Sequence, residues 1–288
     1  MNDVVKSVMN VRQHLSSFRK LRTSSVITED TFCRELPSPE TAVDIFRGMW
    51  SSSLPPPHQT LTGGSADLFD DGRLKWANKI FDGITGMRVV ELGPLEGGHT
   101  YMLDRLGALD VVSIEANKQA FLRCLVVKEI LGIPSSHFLC GDFAEYLKSA
   151  VEHCSERWDL CLAVGVLYHQ EDPVSLLELI TKTSDRILLW THYYDQNIVR
   201  LRSDLQAKFP SSETKTTAGF NHTLYRYEYG SALGWSGFCG GLASWSSWMT
   251  RDDILACLEF FNFDVLGIEF DHPDHANGPA FCVAARRR

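Results

Sequence analysis

Three carboxylates stand at the ends of short apolar runs. Glu91 closes Val89-Val90, Glu115 closes Val111-Val112-Ser113-Ile114, and Asp142 follows Phe138-Leu139-Cys140-Gly141. After Glu91 the chain runs Gly93-Pro94-Leu95-Glu96-Gly97-Gly98, where glycines allow close backbone approach and a tight turn into a helix. Glu115 lies 24 residues beyond Glu91, the place where α/β folds hold ribose hydroxyls. Two histidines, His169 and His192, follow two later apolar runs, with Tyr168 before one and Tyr193, Tyr194 and Asp195 behind the other. Histidine is the simplest proton acceptor near neutral pH. Acids that grip a nucleoside, beside an imidazole that takes a proton, suit a transfer reaction in which the acceptor loses a proton.

Two ligands compete for the glycine turn. A dinucleotide would rest its pyrophosphate on G-x-G-x-x-G, but Gly93-Pro94-Leu95-Glu96-Gly97-Gly98 departs from that pattern at the second glycine. Glu96 adds a negative charge inside the loop, which would repel phosphate and attract a cation. S-adenosylmethionine carries a sulfonium and an ammonium and no phosphate, so it is the expected cofactor.

Regular elements must carry these residues to one place. From about residue 73 apolar runs of strand length alternate with helical stretches of 10–15 residues, the mark of a parallel sheet covered on both faces. Five strands are expected, in Met87–Gly93, Asp110–Ala116, Ser136–Phe143, Trp158–Leu167 and Asp185–Tyr194. Asp172 and Pro173 open one helix, and Thr250 caps another. The chain then ends in two strand-like runs, 264–271 and 278–287, joined by a turn containing His272 and His275 and with no room for a crossover helix. That pair should be antiparallel. The expected class is α/β: a doubly wound, Rossmann-like, seven-stranded sheet with a terminal antiparallel hairpin. An N-terminal helical segment (residues 1–72) precedes it, with helices over 4–22 and from Ser38-Pro39-Glu40. The core is expected over 73–192 and 250–288, and a long insert over 193–249 is expected to act as a cap.

This ordered set resembles the class I S-adenosylmethionine-dependent methyltransferases over roughly residues 73–192 and 250–288. The resemblance implies that Glu91, Gly93, Pro94 and Gly97 lie under the methionine part of the cofactor, and that Glu115, with Ala116, holds the ribose hydroxyls. It implies that Asp142 accepts from the adenine amino group, with Phe143 as an apolar wall, and that Val164, Gly165 and Val166 border the transfer site. The run Gly165-Val166-Leu167-Tyr168-His169 with Pro173 is also similar to transfer-RNA wobble-uridine carboxymethyltransferases, which use a carboxylated cofactor. The expected activity is methyl transfer to an oxygen or nitrogen of a small molecule, with tRNA modification as the alternative. His169, His192 and Tyr168 are the catalytic candidates.

The insert is rich in aromatics and glycines, and such long connections are usually functional. Tyr225 and Trp235, with Tyr193, Tyr194 and Trp50, are candidates to line the acceptor. The same aromatics could instead form a subdomain core or a homodimer surface. Residues 221–229 alternate and should add a strand. His99 is expected to cap its turn, and His272 and His275 to be solvated. Two histidines and Asp195 from separate strands are thin grounds for a metal, so none is expected. Gly234-Trp235-Ser236-Gly237-Phe238 fails the hydrolase elbow pattern at its last position. A net charge of −8 argues against nucleic acid as a partner. No apolar run reaches the roughly 18–20 residues of a membrane span. Eight cysteines without a C-x-x-C pair, and an opening stretch without a secretory pattern, lead to the expectation of a cytoplasmic protein.

Overall fold

The computed structural model describes residues 32–61, 64–154, 157–234 and 240–288. The periodic stretch 4–22 and Trp235 lie outside these. The chain divides into two compact units, residues 1–41 and 42–288. Helix α1 (Pro39–Asp44) opens with proline at its first position, and the Ser38 hydroxyl accepts from the Thr41 N–H at 3.4 Å.

Strands β1 (Arg88–Leu92), β2 (Asp110–Glu115), β3 (Ser136–Cys140), β4 (Leu160–Val164) and β5 (Arg186–His192) alternate with helices. Helix α2 (Gly72–Ile80) precedes β1, and α3 (Gly98–Arg105), α4 (Lys118–Leu131), α5 (Phe143–Glu152) and α6 (Pro173–Thr183) follow in turn. The starts are set by short polar side chains: Asn117, Asp142 and Asp172 each accept from backbone N–H groups of the helix they cap. Beyond β5 come two short helices, α7 (Gln196–Val199) and α8 (Ser203–Gln206), then β6 (Ser211–Thr217), β7 (Phe220–Glu228) and β8 (Trp245–Trp248). Helix α9 (Arg251–Phe260), capped by Thr250, leads to β9 (Phe263–His272) and β10 (Ala280–Arg287).

The main sheet has seven strands in the order β3-β2-β1-β4-β5-β10-β9. The first five pair in parallel, and β10 runs antiparallel to both of its neighbours, as the missing crossover required. Alternate residues face opposite sides. Val90, Cys161, Ala163 and Phe281 enter one apolar cluster with helix residues such as Leu147, Leu177 and Ile254, while Val89, Leu160, Leu162 and Cys282 enter another with Leu74, Phe81 and Leu103. Both faces are therefore covered, which is why the strands read as unbroken apolar runs. No helix among the described residues is long and apolar enough to cross a membrane.

The insert contains more strand than expected: β6, β7 and β8 form a separate three-stranded antiparallel sheet. It is tied to the parallel core by main-chain bonds, from Ser247 N–H to Gln170 O at 2.8 Å and from Tyr194 N–H to Met249 O at 2.8 Å. A Cβ at Gly241 would stand 2.2 Å from the His169 carbonyl oxygen, so only glycine lets this segment lie so close to the β4 loop.

Glu96 does not play the role expected of it. It is fully buried, accepts from Ser51 N–H at 2.7 Å and Ser52 N–H at 2.9 Å, and faces the buried Arg123 Nε at 3.4 Å. Its charge is answered internally and says nothing about the ligand. Among the described residues Glu96 is the only carboxylate within 4 Å of the Arg123 guanidinium, so Glu96→Ala should cost about 3–5 kcal/mol, whereas Glu96→Met with Arg123→Met should recover most of it. Urea unfolding of the two variants checks this; a single-variant loss below about 1 kcal/mol would refute the assignment.

Candidate active site

Parallel pairing puts the carboxyl ends of β1 to β5 along one edge, where α/β sheets bind ligands. Glu91 sits in register with Ser113 on β2 and Leu162 on β4. Its residue is 1% exposed. One carboxyl oxygen, Oε2, accepts from the hydroxyls of Thr100 and Ser113, the latter at 2.7 Å. The other, Oε1, is sealed from water and has no hydrogen-bond donor among the described residues. Burial raises the pKa of this carboxyl, against the opposing effects of His99 and the two hydroxyls.

Glu115, at the tip of β2, accepts from Leu95 N–H at 3.1 Å through Oε2 and from Asn117 N–H at 2.8 Å through Oε1. Each oxygen keeps a further lone pair for another donor. Burial raises its pKa also, and the nearby Glu91 adds to the effect. Two carboxyls whose ionisation is opposed by burial, and in Glu115 by Glu91 as well, are relieved by a cation and worsened by an anion. This pair therefore supplies the argument about ligand charge that Glu96 does not.

The loop between them needs its glycines. Gly93 has φ +66° and donates its N–H to Ile114 O at 2.9 Å; a Cβ there would come within 2.8 Å of Val166 Cγ1. Gly97, at φ +79°, takes the cap position of α3 without any side-chain bond. Pro94 is buried and Ala116 half-buried in the same two loops. Asp142 is spent partly on capping α5 through Ala144 N–H at 2.8 Å, and Gly141 N–H donates to Glu115 O at 3.0 Å, which draws the β3 exit to the β2 tip. Phe143 packs against the larger apolar cluster.

His99 and His275 depart from expectation. His99 does not cap its turn; it is buried, with Nε2 2.8 Å from Asp71 Oδ2 and Nδ1 3.9 Å from Glu91 Oε1. The turn needs no histidine because Gly97 already supplies the left-handed cap. Asp71 also caps α2 through Arg73 N–H at 2.8 Å and holds the Arg73 guanidinium. Burial works to raise its pKa, but the hydrogen bonds from His99 and Arg73 outweigh it and keep the carboxyl well below the usual range. His272 is exposed, as expected, but His275 is half-buried, its ring 5.0 Å from His192 and 6.0 Å from Trp190. The hairpin turn is folded back because Arg202 donates to the carbonyls of His275 and Ala276.

At the ends of β4 and β5 the catalytic candidates come together. Val164 closes β4, and Gly165, at φ +89°, donates its N–H to Trp190 O at 2.9 Å. A short 3₁₀ turn, Leu167–His169, follows. It sets the Tyr168 ring 4.6 Å from His192 and 4.1 Å from His169. His192 is buried and places Nδ1 2.8 Å from Gly278 O, which can only accept. Nδ1 therefore carries the proton, and Nε2 is left as an unprotonated acceptor. The ring stacks on Trp248 at 5.2 Å and meets Trp190 edge-on at 5.1 Å. Burial pulls its pKa to about 4. His169 bonds through Nδ1 to the Tyr229 hydroxyl at 2.7 Å, and burial pulls its pKa to about 3. Burial raises the Tyr168 phenol, which stays neutral.

The aromatics expected to line the acceptor are distributed differently. Trp50 lies in a third apolar cluster with Val43, Phe46 and Leu54, and its indole N–H donates to Val43 O at 3.0 Å. Tyr193 packs into the sheet core against Phe281. Tyr194 and Tyr225 stack on each other at 3.6 Å, and Phe209 links Tyr194 to Trp248. The rings that touch the histidines are instead Trp190, Trp248 and Tyr229. Trp190 was hidden inside a continuous apolar strand, while Trp248 and Tyr229 are among the insert's aromatics but nothing in the sequence set them apart from Tyr225. Among the described residues no group of three or more His, Cys, Asp or Glu could hold a metal ion.

No protein-family model and no curated protein matches the chain. Solved structures do. The N-terminal domain of EvdMO1, crystallised with S-adenosylhomocysteine and D-fucose, is 22% identical, with a TM-score of 0.62 over 86% of this chain and 94% of that domain. In the structure titled EvdMO1 without a domain qualifier, this chain spans 46% of the length, with a TM-score of 0.53. An S-adenosylmethionine-dependent methyltransferase from Mesorhizobium loti is 15% identical, with a TM-score of 0.50 over 76% of this chain and all of that one. The chain has the class I methyltransferase fold.

The two buried imidazoles make stability pH-dependent. Unfolded, they bind protons near 6.5; folded, only near 3 and 4. Between about pH 6.5 and 4 the unfolded state binds more protons, so stability falls as the pH falls. Urea midpoints at pH 7.5 and 5 should differ more for the wild type than for a His169→Phe, His192→Phe variant; equal differences would refute this.

Proposed function

We propose that the chain is an S-adenosylmethionine-dependent methyltransferase that acts on an oxygen or nitrogen of a small molecule, with His192 as proton acceptor. The observation that carries the cofactor is the pair of buried carboxyls at the ends of β1 and β2. Glu91 has an oxygen without a donor, and Glu115 is anchored by two N–H groups while keeping lone pairs for ribose hydroxyls. Gly93, Pro94, Gly97 and Ala116 would line the same cradle, and Asp142 and Phe143 its adenine end. The cofactor, when bound, supplies an electrophilic methyl carbon on a sulfonium.

The chain's own residues do the rest. Val164 and Gly165 end β4 beside the Tyr168 turn, and His192 offers a lone pair on Nε2 at the end of the neighbouring strand. A neutral imidazole with its tautomer fixed by Gly278 O takes the acceptor's proton without having to shed one first. Tyr168 keeps its proton and can donate to the acceptor. His169, bonded to Tyr229, ties the β4 loop to the insert. Trp190 and the rings around it exclude water. EvdMO1's domain was crystallised with a sugar, and a hydroxyl-bearing small molecule suits a wall of rings with one basic nitrogen. A net charge of −8 favours such an acceptor over a polyanion. The seven described cysteines, all free thiols, are in keeping with a reducing compartment such as the cytoplasm.

Calorimetry should show binding of S-adenosylmethionine and none of NAD. Glu115→Ala should weaken it at least about 100-fold, the loss of two hydrogen bonds to a charged group. His192→Gln should leave cofactor affinity within a few-fold and lower turnover about 10²–10⁴-fold, read as S-adenosylhomocysteine release across a panel of hydroxylated acceptors. Tighter binding of NAD would overturn the cofactor; undiminished turnover would remove His192.

A further inference from the structure

Open sheets leave edges, and those among the described residues are not alike. β3 is five residues long, β9 is interrupted by register shifts against β10, and β8 is four residues long and tied to the core through Ser247 N–H. β6 has none of these devices. It runs seven residues without a bulge or a proline, pairs with β7 alone, and is exposed along most of its length. A regular edge with unused donors and acceptors is a template for another strand unless something blunts it.

The hairpin turn decides which groups face outward. Ala218 and Gly219 have φ of +49° and +86° and join Thr217 to Phe220, its register partner. A two-residue turn of this kind closes on a hydrogen-bonded pair. Thr217, Lys215, Glu213 and Ser211 therefore spend their main-chain groups on β7, while Thr216, Thr214 and Ser212 turn theirs away from it. The side chains agree: the hydroxyls of Thr214 and Thr223 meet at 3.0 Å across the closer, non-hydrogen-bonded kind of pair.

Charge selects what can pair there. Glu213 and Lys215 lie on one face of the strand, two residues apart. Glu213 is exposed and makes no ion pair among the described residues, and Lys215 gives one of its three donors to Asp172 at 2.7 Å. An antiparallel strand of the same sequence, centred on Thr214, meets every requirement. Thr214 then faces Thr214 of the second copy and Ser212 faces Thr216, so the outward main-chain groups bond in pairs. Glu213 faces Lys215 of the second copy, and symmetry repeats the match. Centring on Glu213 or on Lys215 would instead set like charges face to face, which is unfavourable.

We propose that β6 is a self-pairing edge, through which two copies of the chain join antiparallel about Thr214 and make one six-stranded sheet from two inserts. A foreign strand would find the same main-chain groups, but the two-fold match of opposite charges is particular to this sequence. The proposal is independent of the cofactor and of the reaction.

Sedimentation of the full chain tests it. One short edge falls below the area of a permanent dimer, so association should be reversible and grow over roughly 10 to 500 µM. Thr214→Pro removes an outward N–H and no bond to β7; it should leave the thermal melt near that of the wild type and the chain monomeric throughout. Glu213→Lys turns both opposite-charge pairs into like-charge pairs and should weaken association at least about 10-fold. Mixing Glu213→Lys with Lys215→Glu chains makes all facing pairs complementary again and should restore a mixed dimer, whatever the second substitution costs at Asp172. A wild type that stays monomeric up to 500 µM, a dimer that survives Thr214→Pro, or one untouched by Glu213→Lys would each overturn the proposal.

Discussion

A carboxyl group closed off from water must have its charge answered, and Glu91 is answered on one side only. Thr100 and Ser113 hold Oε2, so the group cannot turn to present that oxygen elsewhere. Thr100 comes from α3 and Ser113 from β2, and both are fully buried. The loop Gly93 to Gly97 must therefore return sharply enough to bring α3 back over the tip of its own strand. It does so with positive φ at Gly93 and Gly97, and at Leu95 as well. Leu95 carries that strain because its N–H is bonded to Glu115. One constraint, an incompletely satisfied buried acid, thus fixes the loop, the helix start and the approach of β2.

The acceptor side is organised by stacking. His192 lies flat on Trp248, and Trp248 lies flat on Tyr227, with interplanar angles of 8° and 9°. Two of these three rings belong to the insert, so the insert supplies the wall behind the proposed base. Gly278 allows it, since a Cβ there would press on the Trp248 ring at 2.9 Å. With main-chain bonds to Gln170 and from Tyr194, that wall is continuous with the β4 and β5 exits and built at a fixed distance from them.

The fold was legible in the sequence because burial on two faces leaves an unmistakable alternation of apolar strands and capped helices. The antiparallel end was legible because the short turn between the runs 264–271 and 278–287 leaves no length for a crossover. The strand-tip acids were legible for the same reason: a carboxylate at the end of an apolar run has few structural uses. Partners were another matter. Nothing in Gly-Gly-His-Thr says that the histidine turns inward, since that depends on Asp71, 28 residues earlier, being held by Arg73. Glu96 looked like part of the cradle because loop membership is local, while its ties to Ser51, Ser52 and Arg123 are not. The aromatic candidates were chosen by type and region, and type alone cannot separate Tyr193, turned into the core, from Trp190, which meets His192.

His99 and His192 are solved in the same physical way. Each donates from one ring nitrogen to a group that can only accept, a carboxylate in one case and a main-chain carbonyl in the other. A buried imidazole so anchored cannot switch tautomer without losing that bond, and in His192, which burial keeps neutral, the opposite nitrogen is then an acceptor. At the end of β1 the His99 ring stands beside a buried acid; at the end of β5 the His192 ring stands among aromatic rings. Arg73 joins the two, fixing Asp71 with its guanidinium edge and covering Trp190 with its face. One side chain thus ties the Asp71–His99 pair beside β1 to the aromatic wall on β5.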